Sequence, residues 1–143
     1  MLEHFQIISI SHKKLNTEDL ERFVIKYKSK TGLKSKLAGL KKEFAIDELL
    51  YMTTCNRLLI LTYRQAAFNL KTLTQLLYYI NPSLEQSLAH RVEKIVDFYS
   101  GEECIRHLFE VASSLDSLVI GEHEIFRQFR DAYSECKKFG LTG

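Results

Sequence analysis

The sequence has few of the residues that interrupt or cross-link a chain. It contains one proline, no tryptophan and 6 glycines in 143 residues, so a long unstructured linker is not expected. Its 3 cysteines are widely spaced and form no Cys-x-x-Cys pair, which argues against a disulfide framework or a zinc knuckle. Widely spaced cysteines of this kind are more typical of proteins in a reducing compartment than of secreted ones, so we expect a cytoplasmic protein.

Long apolar runs are also missing. None approaches the roughly 20 residues that cross a bilayer, so no membrane segment is expected. The start, Met1-Leu2-Glu3-His4, lacks the basic and then apolar order of a signal peptide. No Gly-x-Gly-x-x-Gly or Gly-x-x-x-x-Gly-Lys loop occurs, so the sequence gives no sign of a nucleotide-binding turn.

What remains is the composition of an ordinary globular domain with an uneven charge distribution. Hydrophobic residues make up 45% and charged residues 27% of the chain, enough to bury one core. The net charge is only +2, yet seven lysines and no acid lie between Lys26 and Lys42. Such a stretch is either a solvated helical edge or a surface that contacts phosphates, and both interpretations stay open.

Hydrophobic periodicity predicts the order β-α-β-β-α-β with one additional helix. Apolar patterns predict strands over residues 4–11, 48–54, 58–63 and 95–99. Helical spacing predicts a helix from Asn16 or Thr17 to Tyr27, a break at Thr31-Gly32, and further helices over 33–44 and 70–80. This order is typical of an α+β fold with a small antiparallel sheet, the split-βαβ or ferredoxin-like arrangement.

After residue 100 the pattern becomes helical throughout. One helix is predicted to bury Cys104 and Leu108, and a last helix is predicted from about Glu122. We therefore divide the chain into an α/β subdomain over 1–100 and a C-terminal helical subdomain over 101–143 that completes the domain.

Cys55 lies in a polar turn between two predicted strands. A thiolate is a good nucleophile, and Arg57 supplies a positive charge that favours the thiolate and can pair with a carboxylate. The alternative is a buried structural cysteine. His107 lies beside the apolar stripe of its helix, where it could polarise a carbonyl or serve only structure. Cys104 and His107 have metal-ligand spacing, but without a second pair no metal site is expected.

Two motifs together resemble those of a known family. The run Thr53-Thr54-Cys55-Asn56-Arg57 is similar to a Ser/Thr-Thr-Cys-Asn-Arg active-site string, and residues 107–122 match a long signature nearly position for position. Ser11-His12-Lys13 is similar to the opening Asn/Ser-His-Lys of the same family. The family is glutamyl-tRNA reductase, and the resemblance covers its N-terminal catalytic domain. This chain departs from the family pattern at Leu58-Leu59, where Thr-Glu is usual.

The resemblance implies a tRNA-dependent reaction in tetrapyrrole (porphyrin) biosynthesis. Cys55 would attack the ester of glutamyl-tRNA, NADPH would reduce the resulting glutamyl thioester to glutamate-1-semialdehyde, and His107 would assist at the carbonyl. The residues that would line the substrate pocket are Thr54, Asn56, Arg57, Ser117, Glu122, His123, Glu124 and Gln128.

The resemblance also bears on what this chain would not do alone. The NADPH-binding and dimerisation domains of the family are expected to lie outside it, so we expect no NADPH binding here and a homodimer only for the longer enzyme. Two other functions stay open: a cysteine esterase acting on aminoacyl esters, and a non-catalytic tRNA-binding module that uses the lysine-rich stretch.

Overall fold

The computed structural model describes residues 2–54, 56–84, 86–116 and 138–140. In these ranges the strands are β1 (Phe5–Ser11), β2 (Glu48–Thr54), β3 (Arg57–Tyr63) and β4 (Asp97–Ser100). They form one antiparallel sheet in the order β2-β3-β1-β4. The first strand therefore lies between the third and the fourth, as the split-βαβ arrangement requires. The predicted α+β fold class is confirmed.

The helices of the described part of the chain connect and cover this sheet. A short 3₁₀ turn at Leu2–His4 precedes β1. The α-helices are α1 (Thr17–Glu21), α2 (Lys30–Glu43), α3 (Leu70–Ile80), α4 (Gln86–Ala89), α5 (Val92–Ile95) and α6 (Glu102–Asp116). Among these helices, none combines the length and the apolar character needed to cross a bilayer.

Both faces of the sheet are covered, because successive strand residues alternate between them. Ile8 and Ile10 of β1 point into the main core, which also contains Leu37 of α2 and Leu76 of α3. On the opposite face Ile7 belongs to a smaller cluster, whose other buried members are Met52, Leu59 and Cys104 of α6. The helix α6 therefore packs on the face that α2 and α3 leave open.

The first predicted helix is wrong in its extent. It ends at Glu21 rather than Tyr27, because the following segment is held by the sheet: the backbone N–H of Ile25 donates to the Tyr51 hydroxyl at 2.9 Å. The predicted break at Thr31-Gly32 is also wrong, since both residues lie inside α2. The side chain of Ser29 accepts a hydrogen bond from the Gly32 N–H and so caps the new helix.

The fourth strand begins two residues later than predicted. Ile95 ends the short helix α5, where its N–H donates to the carbonyl of Arg91 at 3.0 Å, and β4 starts at Asp97. In the sheet Asp97 lies opposite Ser9, and Tyr99 lies opposite Ile7.

The C-terminal part is described only as far as α6, apart from residues 138–140. The predicted helix after Glu122 lies outside the described residues. The division of the chain at residue 100 stays a prediction.

Candidate active site at one end of the sheet

The strand register gathers polar side chains on the α6 face, at the end where β2 leads into β3. Arg57 pairs with Thr54 on one side and with Ser11 on the other. Asp97 pairs with Ser9, two residues before Ser11 on β1. Directly opposed residues share a face of the sheet, as do residues two apart on one strand. These five residues therefore belong to one surface.

The turn between β2 and β3 is anchored at both sides of Asn56. Its backbone N–H donates to the Thr54 hydroxyl oxygen at 3.2 Å. Its carbonyl accepts the His12 N–H at 2.9 Å, and the His12 Nδ1 lies 3.4 Å from the same oxygen. Asn56 is thus tied to β2 and to the loop that follows β1. Cys55 immediately precedes Asn56 in sequence and lies outside the described residues.

Arg57 brings a half-buried positive charge to this end of the sheet. Burial lowers the pKa of its guanidinium, while Asp97 and Tyr99 oppose that shift. Arginine nevertheless keeps its proton at neutral pH. Among the described residues, no carboxylate lies within ion-pair distance of Arg57. A partly desolvated cation in this position suits an anionic ligand such as a carboxylate.

His107 faces the same region from α6. Its ring stacks on Tyr99, with centroids 4.1 Å apart and an interplanar angle of 17°. Burial and then Arg57 lower the pKa of the imidazole, against weaker opposing effects of Glu110 and Asp97. His107 is therefore neutral at pH 7 and offers one donor and one acceptor nitrogen. Its Nε2 is buried and has no hydrogen-bond partner, a situation found for no other buried side-chain nitrogen or oxygen in the described ranges.

The β4 side of the site is polar as well. Asp97 forms an ion pair with the Nζ of Lys14, which extends from the loop after β1. Tyr99 is half-buried, and burial followed by the charge of Asp97 raises the pKa of its phenol. Tyr99 therefore stays neutral and supplies a flat surface for His107.

Among the described residues Cys104 is the one cysteine, and its surroundings are apolar. Cys104 is fully buried beside Ile7, Met52 and Leu59, and burial raises the pKa of its thiol to about 11. At neutral pH this thiol is protonated and inert. The described residues contain no group of three or more histidine, cysteine, aspartate or glutamate side chains that could hold a metal ion.

The structure brings together the four predicted site residues that it describes: Thr54, Asn56, Arg57 and His107. The others lie outside the described residues: Cys55, Ser117, Glu122, His123, Glu124 and Gln128. Asp97, Tyr99 and Lys14 are absent from the predicted set. The strand predicted over 95–99 already sets Asp97 and Tyr99 on one face, but only the pairing of β4 with β1 places that face beside Arg57.

The fold and the sequence together define a class of protein. It is an α+β domain in which an arginine and a neutral histidine accompany a turn whose sequence contains a cysteine. Residues 8–143 match the family model described as "Glutamyl-tRNAGlu reductase, N-terminal domain". The chain belongs to the glutamyl-tRNA reductase family, of which it represents the N-terminal domain.

Relatives with that name span a wide range of organisms. The chain is 34% identical to the glutamyl-tRNA reductase of Syntrophobacter fumaroxidans over 95% of its length, and 33% identical to that of Christiangramia forsetii over 98%. The solved glutamyl-tRNA reductase from Methanopyrus kandleri shares the fold, with a TM-score of 0.68 over 99% of this chain at 24% identity. The chain spans 28%, 31% and 30% of the lengths of these three proteins.

Proposed function

We propose that this chain cleaves the ester of glutamyl-tRNA and holds the glutamyl group as a thioester, as a step in tetrapyrrole biosynthesis. One observation carries the proposal. Arg57 lies at the end of the turn that contains Cys55 in sequence and has no ion-pair partner among the described residues. His107, whose Nε2 is buried and unpartnered, is within reach of the charge of Arg57. Family membership supplies the substrate: the relatives are named as reductases of glutamyl-tRNA.

The proposed step is an acyl transfer. The Cys55 thiolate attacks the ester carbonyl carbon, the bond from that carbon to the ribose oxygen breaks, and the departing ribose oxygen takes a proton from water to leave as the hydroxyl. Arg57 pairs with the side-chain carboxylate of the glutamyl group. Neutral His107 donates a hydrogen bond to the carbonyl oxygen as negative charge develops there.

The remaining residues hold the substrate in this proposal. Thr54 and Asn56 position the glutamyl group beside the turn. The roles of Ser117, Glu122, His123, Glu124 and Gln128 as pocket residues stay predictions from the family resemblance.

The hydride donor implied by the resemblance, NADPH, does not fit the described residues. Dinucleotides bind where parallel strands lead into helices through glycine-rich turns, whereas this sheet is antiparallel and the sequence lacks that glycine motif. We assign only ester cleavage to this chain. Reduction, dimerisation and a cytoplasmic location stay predictions for the whole protein.

The decisive experiment follows labelled glutamate from glutamyl-tRNA onto the chain. Wild type is expected to release free tRNA and to retain the label in a linkage that hydroxylamine cleaves, whereas Cys55→Ala should do neither. Cys104→Ala is the matched control and should transfer the label, because its thiol is protonated and buried. Label transfer by Cys55→Ala would refute the proposal. Tight tRNA binding without transfer by wild type would instead favour a non-catalytic binding module.

The lysine-rich stretch gives the tRNA a second contact. Its 7 lysines carry +7, so the other 13 basic and 18 acidic residues of the chain sum to −5. Lys28, Lys34 and Lys42 are exposed on or next to α2, whose buried side faces the core. Clustered lysines attract a polyanion and release its counterions on binding.

Neutralising that surface should weaken tRNA binding in a salt-dependent way. We expect a variant with Lys28, Lys34 and Lys42 changed to Gln to reduce the slope of log affinity against log salt by about 0.7–0.9 per lost phosphate contact. Filter binding across a salt series measures this slope. A control with the exposed residues Lys71, Lys94 and Lys138 changed to Gln removes the same charge. Equal slopes for the two variants would contradict a tRNA surface on α2.

A further inference from the structure

We propose that the carboxylate of Asp97 binds the α-ammonium group of the glutamyl substrate, so that Asp97 and Arg57 read the two charges of glutamate together. This inference rests on the proposed function, since it assigns a subsite within the same pocket. It adds a specificity-determining residue that the family motifs in this sequence do not contain.

The position of Asp97 supports the assignment. It is the first residue of β4 and pairs with Ser9, on the face that carries Arg57 and Ser11. Its side chain is 29% exposed, so the carboxylate is accessible to a ligand but partly withdrawn from water. Tyr99, two residues along the same strand, supports His107 by stacking. Asp97 thus borders the region between Arg57 and the imidazole.

The carboxylate already binds a primary ammonium in this structure. Its partner is the Nζ of Lys14, whose side chain is 41% exposed. Ion pairs with this exposure contribute little net stability, because water and salt compete with them. The α-ammonium of a bound glutamyl group can therefore replace Lys14, which then withdraws into solvent.

The charges around the site point to Asp97 rather than to another described acid. Glu110, on α6, is exposed and acts on His107. Asp97 acts on both Arg57 and His107, so its field covers both sides of the proposed pocket. A glutamyl ester carries a carboxylate and an ammonium on one short chain. Arg57 can neutralise the carboxylate of the glutamyl ester, and the carboxylate of Asp97 can neutralise its ammonium group.

The test compares two substrates that differ only in the ammonium group. They are glutamyl-tRNA and 2-hydroxyglutaryl-tRNA, in which a neutral hydroxyl replaces the amine. Wild type is expected to release tRNA from the glutamyl ester at least about tenfold more efficiently, as is typical for a charge-assisted hydrogen bond. Equal efficiency on both substrates would overturn the proposal without any variant.

Variants then locate the subsite. Asp97→Asn is expected to lose most of the preference, mainly by slowing the glutamyl reaction, whereas Asp97→Glu should recover part of it. Lys14→Gln is expected to keep or increase the preference, because it removes the competing ammonium. A purely structural role for the Lys14–Asp97 pair predicts the contrary result, with similar losses in Lys14→Gln and Asp97→Asn on both substrates.

Controls separate this inference from the proposed function. Glu93→Gln removes an exposed carboxylate on α5 and should behave as wild type. Absence of Cys55-dependent tRNA release in wild type would refute the proposed function itself. Release with an unchanged preference in a folded Asp97→Asn would refute the Asp97 assignment alone, and loss of preference in Glu122→Gln or Glu124→Gln instead would move the subsite to those residues.

Discussion

At the scale of single residues, the site depends on two side chains in unusual surroundings. Arg57 has given up part of its hydration at the sheet end. His107 stacks on Tyr99 and is within reach of the charge of Arg57. Burial and the charge of Arg57 both lower the pKa of His107, because each disfavours the protonated imidazole. The protein therefore presents a neutral imidazole near the site proposed for acyl transfer, where an imidazolium would repel Arg57.

The titration of His107 should report this environment directly. We expect its midpoint below the ordinary value of 6.5, with a rise in Arg57→Gln and a further fall in Asp97→Asn, since the two charges act in opposite directions. Proton NMR of the imidazole, with the His107 signal assigned by its absence in His107→Gln, measures the midpoint in wild type and in the two variants. A wild-type midpoint above 6.5 would contradict the arrangement.

The same shift has a consequence for stability. A histidine whose pKa is lowered on folding binds protons more readily in the unfolded chain. Its contribution to stability is therefore present above pH 6.5 and is lost as the pH falls through the lowered pKa of the folded state. In His107→Gln this part of the pH dependence should disappear.

At the scale of secondary-structure elements, the two glycines of α2 lie in different surroundings. Gly32 lies in the first turn, and a Cβ there would meet nothing closer than the Ser29 Oγ at 3.6 Å. Gly39 lies where a Cβ would collide with the Tyr79 hydroxyl. The ammonium of Lys36 lies 4.3 Å from the centroid of the same tyrosine ring. Gly39 therefore permits close packing of α2 on α3.

Alanine substitutions should separate these two glycines. Gly32→Ala is expected to stabilise the protein by about 0.5–1 kcal/mol, because alanine loses less backbone entropy in a helix. Gly39→Ala should lack this gain, since Tyr79 must move. Urea denaturation of both variants measures the difference. An equal gain at both positions would show that the Tyr79 contact imposes no cost.

Element boundaries explain where sequence patterns succeed and where they do not. The buried residues Leu33, Leu37 and Leu40 recur at helical spacing, so α2 is predictable from local periodicity alone. The end of α1 is not, because the bond from Ile25 to Tyr51 joins residues far apart in sequence. The start of β4 has a local cause instead, because the N–H of Ile95 bonds to the carbonyl of Arg91 and so ends α5. The place of Asp97 in the site depends on the pairing of β4 with β1, which local patterns do not give. Arg57 and His107 can be predicted as site residues from the sequence, because the motif around Cys55 marks the first and the position on a helix marks the second.

At the scale of the whole molecule, the sheet end opposite the site is closed by a buried polar network. Gln6 is fully buried. Its amide nitrogen donates to the carbonyl of Ala66 at 3.0 Å, and its amide oxygen accepts the N–H of Phe68 at 2.8 Å. Arg64 adds a bond from its Nε to the carbonyl of Phe44 at 2.6 Å. The bonds of Gln6 satisfy backbone groups of the connection from β3 to α3, and the bond of Arg64 ties that connection to the end of α2.

Removing the Gln6 amide should therefore destabilise the fold without touching the site. Gln6→Leu is expected to cost about 2 kcal/mol or more, because it removes the hydrogen-bond partner of the Phe68 N–H and of the Arg64 carbonyl, whose bonds to Gln6 are buried. Gln65→Leu, at an exposed neighbouring position, should cost much less. Denaturation midpoints give both values, and the pH titration of His107 should be unchanged in either variant. A Gln6→Leu protein as stable as wild type would refute the role of the network.

The loop after β1 has a consequence for how the pocket can change. His12 contacts Asn56 in one direction, and Lys14 reaches Asp97 in the other. The residues from His12 to Lys14 therefore connect the turn after β2 with the start of β4. Adding or deleting a residue here would move His12 relative to Asn56 and Lys14 relative to Asp97 at once. The length of this loop therefore fixes the spacing between the two edges of the candidate site.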